Sequence, residues 1–585
     1  MKFLGNVIAT VIGIFVFIMI FFFGVILIGA IFGGDDKVSV KSDSVIELDL
    51  KRVNNDYAGK YKDPWVTVFS DKKGVGLSDV ITAIEAAKTD DKIKGISILN
   101  DESSLGLAQY KDLRNALESF KKSGKFVWAY ANTFSQKEYY LNSVANTIYL
   151  NPAGDLDFKG LSSEVMFFKD FQEKSGIHME VIRHGKYKSA VEPFLENKMS
   201  DANREQVTAL LNSIWSTVCS DISKSRNIPV EKLNKIADGL LARTPKMAKD
   251  QRLVDIVAYE DAYHNAIKKA LKVKDDEEYN KISILDYTQN NMTTALTNFA
   301  DDQIAIIYAQ GEIVGGEGDV NVIGEGSMRR SLQDARKNDD IKAIVLRIDS
   351  PGGSALTSDL IWREIEITKK VKPVVVSMGN YAASGGYYIA CNANTIFAES
   401  NTITGSIGVF GVLPNFTPLA NKLGINTEQV KTHENAANYS PFVPVDEKFK
   451  AFTLEGVEQV YNTFVSHVAQ GRKMTFAQVD EIAQGRVWSG SEALKIGLVD
   501  KIGGLNDAVA EAARIAKIKE YGTVNYPEYE KTVSDLFANM PFARSKEAFI
   551  KEEIGEENYM LIEQVKRMQK QKGVQAMMPF QIDIK

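Results

Sequence analysis

Hydrophobic positions along the chain fall into runs of two kinds, one very long and many short. The long one is Val7–Phe32, 26 residues in which Thr10 is the sole polar side chain. At about 1.5 Å per residue it exceeds the roughly 30 Å hydrocarbon core of a bilayer, and it predicts one membrane-spanning helix. A cleavable leader would instead have an apolar region of about 7 to 15 residues followed by a small-x-small site. The GAIFGGDD that closes this run offers no clean site of that kind, so the run reads as an uncleaved anchor.

The short runs predict buried strands that end in small, turn-forming residues. Ile341 to Asp349 (IKAIVLRID) leads into Ser350-Pro351-Gly352-Gly353-Ser354 and then a helix. Val374 to Val376 breaks into a loop before Ala382-Ala383-Ser384-Gly385-Gly386 opens a helix carrying Tyr387, Tyr388 and Ile389. A third small turn follows at Thr404-Gly405-Ser406-Ile407-Gly408. This β-α-β-α rhythm predicts an α/β layer with its chemistry at one end of the sheet.

The pattern also repeats. IKGISIL at Ile93 matches IKAIVLR at Ile341, an offset of 248, and YYLNSVANTIY at Tyr139 matches YYIACNANTIF at Tyr387. Pro193-Phe194 matches Pro441-Phe442, and Leu253-Val254-Asp255 matches Leu498-Val499-Asp500 with the offset reduced to 245. The chain therefore reads as two copies of one domain. The expected division is a short segment 1–6, an anchor 7–34, a first copy 35–290, a second copy 301–520 and a tail 521–585. A charged, weakly apolar stretch around Lys272 to Asp301 joins the copies. Within the tail, Lys546 to Lys572 reads as a polar helix and Met577-Met578-Pro579-Phe580 as an apolar tag able to dock, the alternative being a partly ordered tail.

Composition narrows the class. A chain of 585 residues, 44% hydrophobic and 25% charged, is ordinary globular chemistry spread over more than one core. A net charge of −6 argues against a nucleic-acid surface. The two cysteines, Cys219 and Cys391, form no disulfide framework and have no zinc-ligand spacing around them.

Candidate chemistry centres on Ser384. A serine at a strand-to-helix turn has its hydroxyl where free N–H groups favour developing negative charge, although Ser-Gly-Gly after a strand also serves plain helix–sheet packing. The glycines after Asp349 let backbone N–H groups point into a site with no Cβ in the way, as an oxyanion hole requires. At the 248 offset Ser384 faces Gln136, Gly353 faces Leu105 and Ser406 faces Phe158, so the first copy lacks this apparatus. None of the five histidines, His178, His184, His264, His433 and His467, lies in such a turn. A lysine can replace histidine as base when burial lowers its pKa from about 10.4 toward neutrality. The first copy offers Lys186 and Lys188 in GKYKSAVEPF, and Lys188 falls opposite Ala436.

DSPGGS at Asp349 to Ser354, AASGGYY at Ala382 to Tyr388, TGSIG at Thr404 to Gly408 and GRVWSGSEALKIGLVDKIGG at Gly485 to Gly504 together resemble the bacterial signal peptide peptidase A family in its long, membrane-anchored form. The resemblance spans roughly residues 40 to 520. It implies an α/β fold of the Clp-protease/crotonase type, a ββα spiral, in two tandem copies. It also implies a Ser384 nucleophile and a Lys188 general base, with Lys186 as its decoy. The backbone N–H groups of Gly353 and Gly385 then form the oxyanion hole, and Ser406 orients the lysine. The resemblance further implies no cofactor or metal, a homotetrameric bowl, and remnant signal peptides as substrates. It places the chain in the bacterial cytoplasmic membrane, single-pass, with its bulk on the periplasmic side. Charge alone does not set that orientation, since Lys2 stands against Lys37, Lys41, Lys51 and Arg52. A crotonase-type acyl-CoA enzyme and a non-catalytic membrane scaffold are the other readings of the same glycine turn.

Overall fold

The computed structural model describes residues 10, 12–17, 19–20, 39–62, 74–99, 103–274, 276–295, 300–436, 439–530 and 574–578. Of the expected anchor it describes helix at 10, 12–17 and 19–20, and the rest of 7–34 lies outside the described residues. Among the described residues no helix is long and apolar enough to cross a membrane.

From Ser42 onward, two sheets carry the repeat, each with a run of six parallel strands. In the first, the strands lie in the order Ile256–Val257, Thr147–Leu150, Phe126–Ala131, Ile93–Leu99, Ser44–Leu48 and Lys281–Ser283. In the second, Lys501–Ile502, Thr395–Ala398, Val374–Ala383, Ile341–Ser350, Gln303–Gln310 and Gly522–Tyr526 follow in the same sequence, all parallel. The identity of these two orders is what a repeated pattern of short apolar runs produces once each run is buried on both faces, as parallel strands are. Ile344, Leu346, Val374, Val376 and Ile396 of the second sheet are all fully buried.

Three expectations change in detail. Val374 begins a strand that does not break after Val376 but runs to Ala383. Its polar residues look like a loop in sequence, yet Ser377 accepts a hydrogen bond from Arg347 at 2.8 Å, and Asn380 donates to Gln109 of the first copy at 2.7 Å. Polar groups satisfied in this way can stay in a buried strand. The joining stretch is also structured, with strand Lys281–Ser283 paired to Ser44–Leu48 and helix Ile284–Ala295 after it. Gly522–Tyr526, placed beyond the 520 boundary by sequence, is the counterpart of Lys281–Ser283 at the edge of the second sheet. Of the tail, Lys546 to Lys572 and Pro579-Phe580 lie outside the described residues, whereas Gln575–Met577 is a strand. Cys219 and Cys391 are buried free thiols.

A third sheet joins the copies. Its order is Gly318–Asp319, Val322–Gly324, Glu312–Val314, Gly352–Ser354, Gln575–Met577, Val409–Asn415 and His178–His184. The last pair is antiparallel and runs from Val409 opposite His184 to Asn415 opposite His178. First-copy backbone is thereby carried to the end of the second copy's sheet, and the chain leaves His184 a few residues short of Lys188.

Candidate active site

Ser384 follows the strand Val374–Ala383 and precedes the short helix Gly385–Ala390. Its φ is 54°, a left-handed conformation that costs a non-glycine residue about 1–3 kcal/mol and persists only where neighbours enforce it. Here the Ser384 N–H donates to Gly405 O at 2.8 Å and Tyr388 N–H donates to Ser384 O at 2.8 Å. The sharp turn holds the hydroxyl at the end of the strand, as in other strand-to-helix nucleophile turns.

Lys188 reaches this hydroxyl from the other copy. Its Nζ lies 3.0 Å from Ser384 Oγ, 3.0 Å from Ser406 Oγ and 3.3 Å from Ser406 O. All three residues are fully buried. The described polar partners of Nζ are thus two hydroxyls and a carbonyl, and the centre of the Phe410 ring lies 5.8 Å from it. Burial holds its pKa well below the ordinary lysine value. Lys186, two residues earlier, is exposed and sits over the Tyr187 ring at 4.9 Å.

What brings the lysine in is backbone contact that sequence reasoning missed. Tyr187 N–H donates to Gln484 O at 2.8 Å, and a Cβ on Gly485 would stand 2.7 Å from the Lys188 Cα and Cβ. Glycine at 485 therefore permits the approach. Gln206 fixes the same segment, donating from Nε2 to Tyr187 O and Ser189 Oγ at 3.0 Å each and accepting from Val487 N–H at 3.3 Å. The GRVWSG stretch was visible as a motif, but its job was not. Ser406, also at positive φ (50°), donates its N–H to Arg486 O at 2.7 Å, so one loop positions both the lysine and the hydroxyl beside it.

The glycine turn supplies donors. Gly352 N–H is taken by Ser350 Oγ at 3.2 Å, and Gly353 carries the next N–H of that turn. Gly353 has a φ of 153°, and a Cβ there would lie 2.1 Å from Ile313 O. Gly385 N is close by, 2.8 Å from where a Cβ on Gly352 would stand. In the first copy the corresponding place is plugged. Gln136 is buried and donates to Gly160 O at 2.8 Å, while accepting from the N–H groups of Lys159 and Gly160 at 2.9 and 2.8 Å. Leu105 and Phe158 are buried apolar filling. None of the histidines is a hydrogen-bond partner of Ser384 among the described residues; His467, for one, stacks on Trp362 with ring centroids 3.5 Å apart.

The chain is similar to known proteins over most of its length. The family description "Peptidase family S49" matches residues 119–274 and 366–519, one stretch in each copy. "Protease 4" of Haemophilus influenzae is 35% identical over 507 residues, 83% of this chain and 82% of that protein. "Protease 4" of Salmonella typhi is 38% identical over 471 residues, covering 79% and 75%. The chloroplastic "Serine protease SPPA" of Arabidopsis thaliana is 33% identical over 505 residues, covering 85% and 73%.

Proposed function

The chain belongs to peptidase family S49 and is a serine protease of the signal peptide peptidase A type, and from that premise we propose a Ser384/Lys188 dyad that cleaves remnant signal peptides and other short hydrophobic peptides. The observation that carries this reading is the 3.0 Å approach of Lys188 Nζ to Ser384 Oγ with neither residue exposed. Burial favours the uncharged form of the lysine, and the lone pair of that form can accept the Ser384 proton as Oγ attacks a peptide carbonyl. The oxyanion forms against the N–H groups of Gly353 and Gly385. Protonated Lys188 then donates to the leaving amine, and water, deprotonated by the lysine, hydrolyses the acyl-enzyme. Ser406 Oγ holds Nζ in line throughout.

The two copies divide this labour, the base coming from residues 35–290 and the nucleophile and donors from 301–520. The spiral ββα form of each copy, a homotetrameric bowl and a single-pass anchor over 7–34 in a bacterial cytoplasmic membrane, with the bulk of the chain periplasmic, complete the proposal. The hydrophobicity of Val7–Phe32 supports the anchor. The test is hydrolysis of fluorogenic hydrophobic peptides by the full chain in detergent. Wild type is expected to turn over, and Ser384→Ala to lose turnover and labelling by a serine-directed acylating reagent. Equal turnover in Ser384→Ala would overturn the proposal.

A further inference from the structure

The strand that leads to the oxyanion turn and the strand that leads to the nucleophile separate just before both turns. Ile341–Ser350 and Val374–Ala383 pair in step from Ile344 opposite Val374 to Ile348 opposite Met378, and pairing resumes at Ser350 opposite Ala382. One residue, Asp349, therefore stands against three, Gly379, Asn380 and Tyr381. Extra residues on one strand interrupt the ladder and leave backbone groups to find other partners. The Asp349 carboxylate fills that gap: Oδ1 accepts the Tyr381 N–H at 2.9 Å, and Oδ2 accepts from Asn380 Nδ2 at 3.2 Å. Glycine at 379 makes room for it, since a Cβ there would stand 3.0 Å from the Asp349 Cβ. Asn380 is held in turn by the first copy, its Oδ1 accepting the Gln109 N–H at 3.2 Å and its Nδ2 donating to Gln109 Oε1 at 2.7 Å. Its amide cannot turn over without losing both of those bonds. The oxyanion turn begins with the residue after Asp349, and Ser384 lies three residues beyond Tyr381.

We infer that Asp349 is a positioning residue for the reaction: its carboxylate sets the spacing between the Gly353 donor and the Ser384 hydroxyl, and only its ionised form does so in full. This rests on the Ser384/Lys188 reading. Protonation would turn one of the two oxygens into a donor facing an N–H, so one of the two bonds is lost. The charged groups around Asp349 are Asp56 of the first copy and Arg347 of its own strand, with Asp112 on another nitrogen of that arginine and Glu399 bonded to Asp112. Although Asp349 is only partly buried, loss of hydration around its carboxyl, and next the Asp56 carboxylate, push its pKa up to about 6, while the Tyr381 N–H and Arg347 pull it down. The ionised form thus prevails near pH 8 and is largely gone near pH 5.

The test is kcat and KM for a fluorogenic peptide between about pH 5 and about pH 8, with circular dichroism, on the full chain as wild type, Asp349→Asn, Asn380→Ala and Ser384→Ala. Asp349→Asn puts an N–H where Oδ2 accepts, and Asn380→Ala removes the same bond from its other end. Each is expected to lower kcat by about 10-fold near pH 8 with KM unchanged. The ratio of wild-type to variant kcat, in which the limb set by Lys188 cancels, is expected to shrink by about 10-fold on going to pH 5, where wild type has lost that bond to its own proton. A peptide aldehyde, whose adduct with Ser384 sets an oxygen against the Gly353 donor, is expected to bind both variants about 10-fold more weakly near pH 8. No loss of kcat near pH 8, a ratio that does not change with pH, or loss of fold in both variants overturns the positioning role and leaves the dyad standing. Wild type that does not hydrolyse the peptide, or Ser384→Ala that does, overturns the dyad reading itself.

Discussion

Arg347 donates from Nε to Asp56 at 2.6 Å and from Nη2 to Asp112 at 2.9 Å, with none of the three side chains more than 7% exposed. The arginine lies in the second copy, on the strand that ends at Ser350, and both carboxylates lie in the first, so a buried ionic triad ties the halves together. Removing the cation would strand two carboxylates away from water, at a cost of about 3–5 kcal/mol. Arg347→Ala is expected to lower unfolding free energy by about that amount in a denaturant titration. Lys60→Ala, at the exposed pair with Glu528, is expected to change it by less than about 0.5 kcal/mol.

The oxyanion turn tolerates no Cβ at Gly353, where it would meet the Ile313 carbonyl at 2.1 Å. Gly353→Ala is expected to displace the donor and lower kcat by about 10²–10³-fold in peptide hydrolysis. Gly411→Ala, where a Cβ meets nothing within 4 Å, is expected to leave kcat unchanged.

The pH dependence follows from Lys188. Its burial lowers the folded-state pKa well below the unfolded value of 10.5. Between those two values the unfolded chain holds a proton that the folded chain does not, so unfolding takes up a proton. Stability from this group therefore rises with pH across that window, by about 1.4 kcal/mol per pH unit. Lys188→Met is expected to flatten that dependence in chemical denaturation measured at several alkaline pH values. Wild-type kcat should rise with pH along a limb set by Lys188 losing its proton.

Ser406 touches the lysine rather than the reacting carbonyl, as its Oγ lies 3.0 Å from Nζ. Ser406→Ala frees Nζ to drift, and a misplacement of about 1 Å costs on the order of 10²-fold in kcat. That loss should come with an unchanged KM and a displaced limb of the pH–rate profile, which a purely structural serine would not produce.

Much of this arrangement was legible in the sequence because the repeat supplies its own comparison. Ser384 against Gln136 and Lys188 against Ala436 differ at matched positions, and a difference between otherwise matched copies marks chemistry. The short apolar runs gave the strands of both sheets, apart from the stretch through Ser377 and Asn380, whose polar side chains find partners elsewhere in the chain. Gln206 and the close approach at Gly485 were hidden because they depend on how backbone from one copy lies on the other. Met577-Met578 read as an apolar tag, but that Gln575–Met577 docks as a strand was hidden for a further reason. So few residues carry too little periodicity to announce a strand, and this one forms only against Gly352–Ser354 and Phe410.

The most direct test of a base supplied by the first copy is the kcat for a fluorogenic peptide of Lys188→Met measured beside Lys186→Met. The first substitution is expected to lower kcat by about 10²–10⁴-fold and to abolish the rising limb of the pH–rate profile, and the second to leave both as in wild type. Equal kcat in the two variants, with the limb intact in Lys188→Met, would contradict the account.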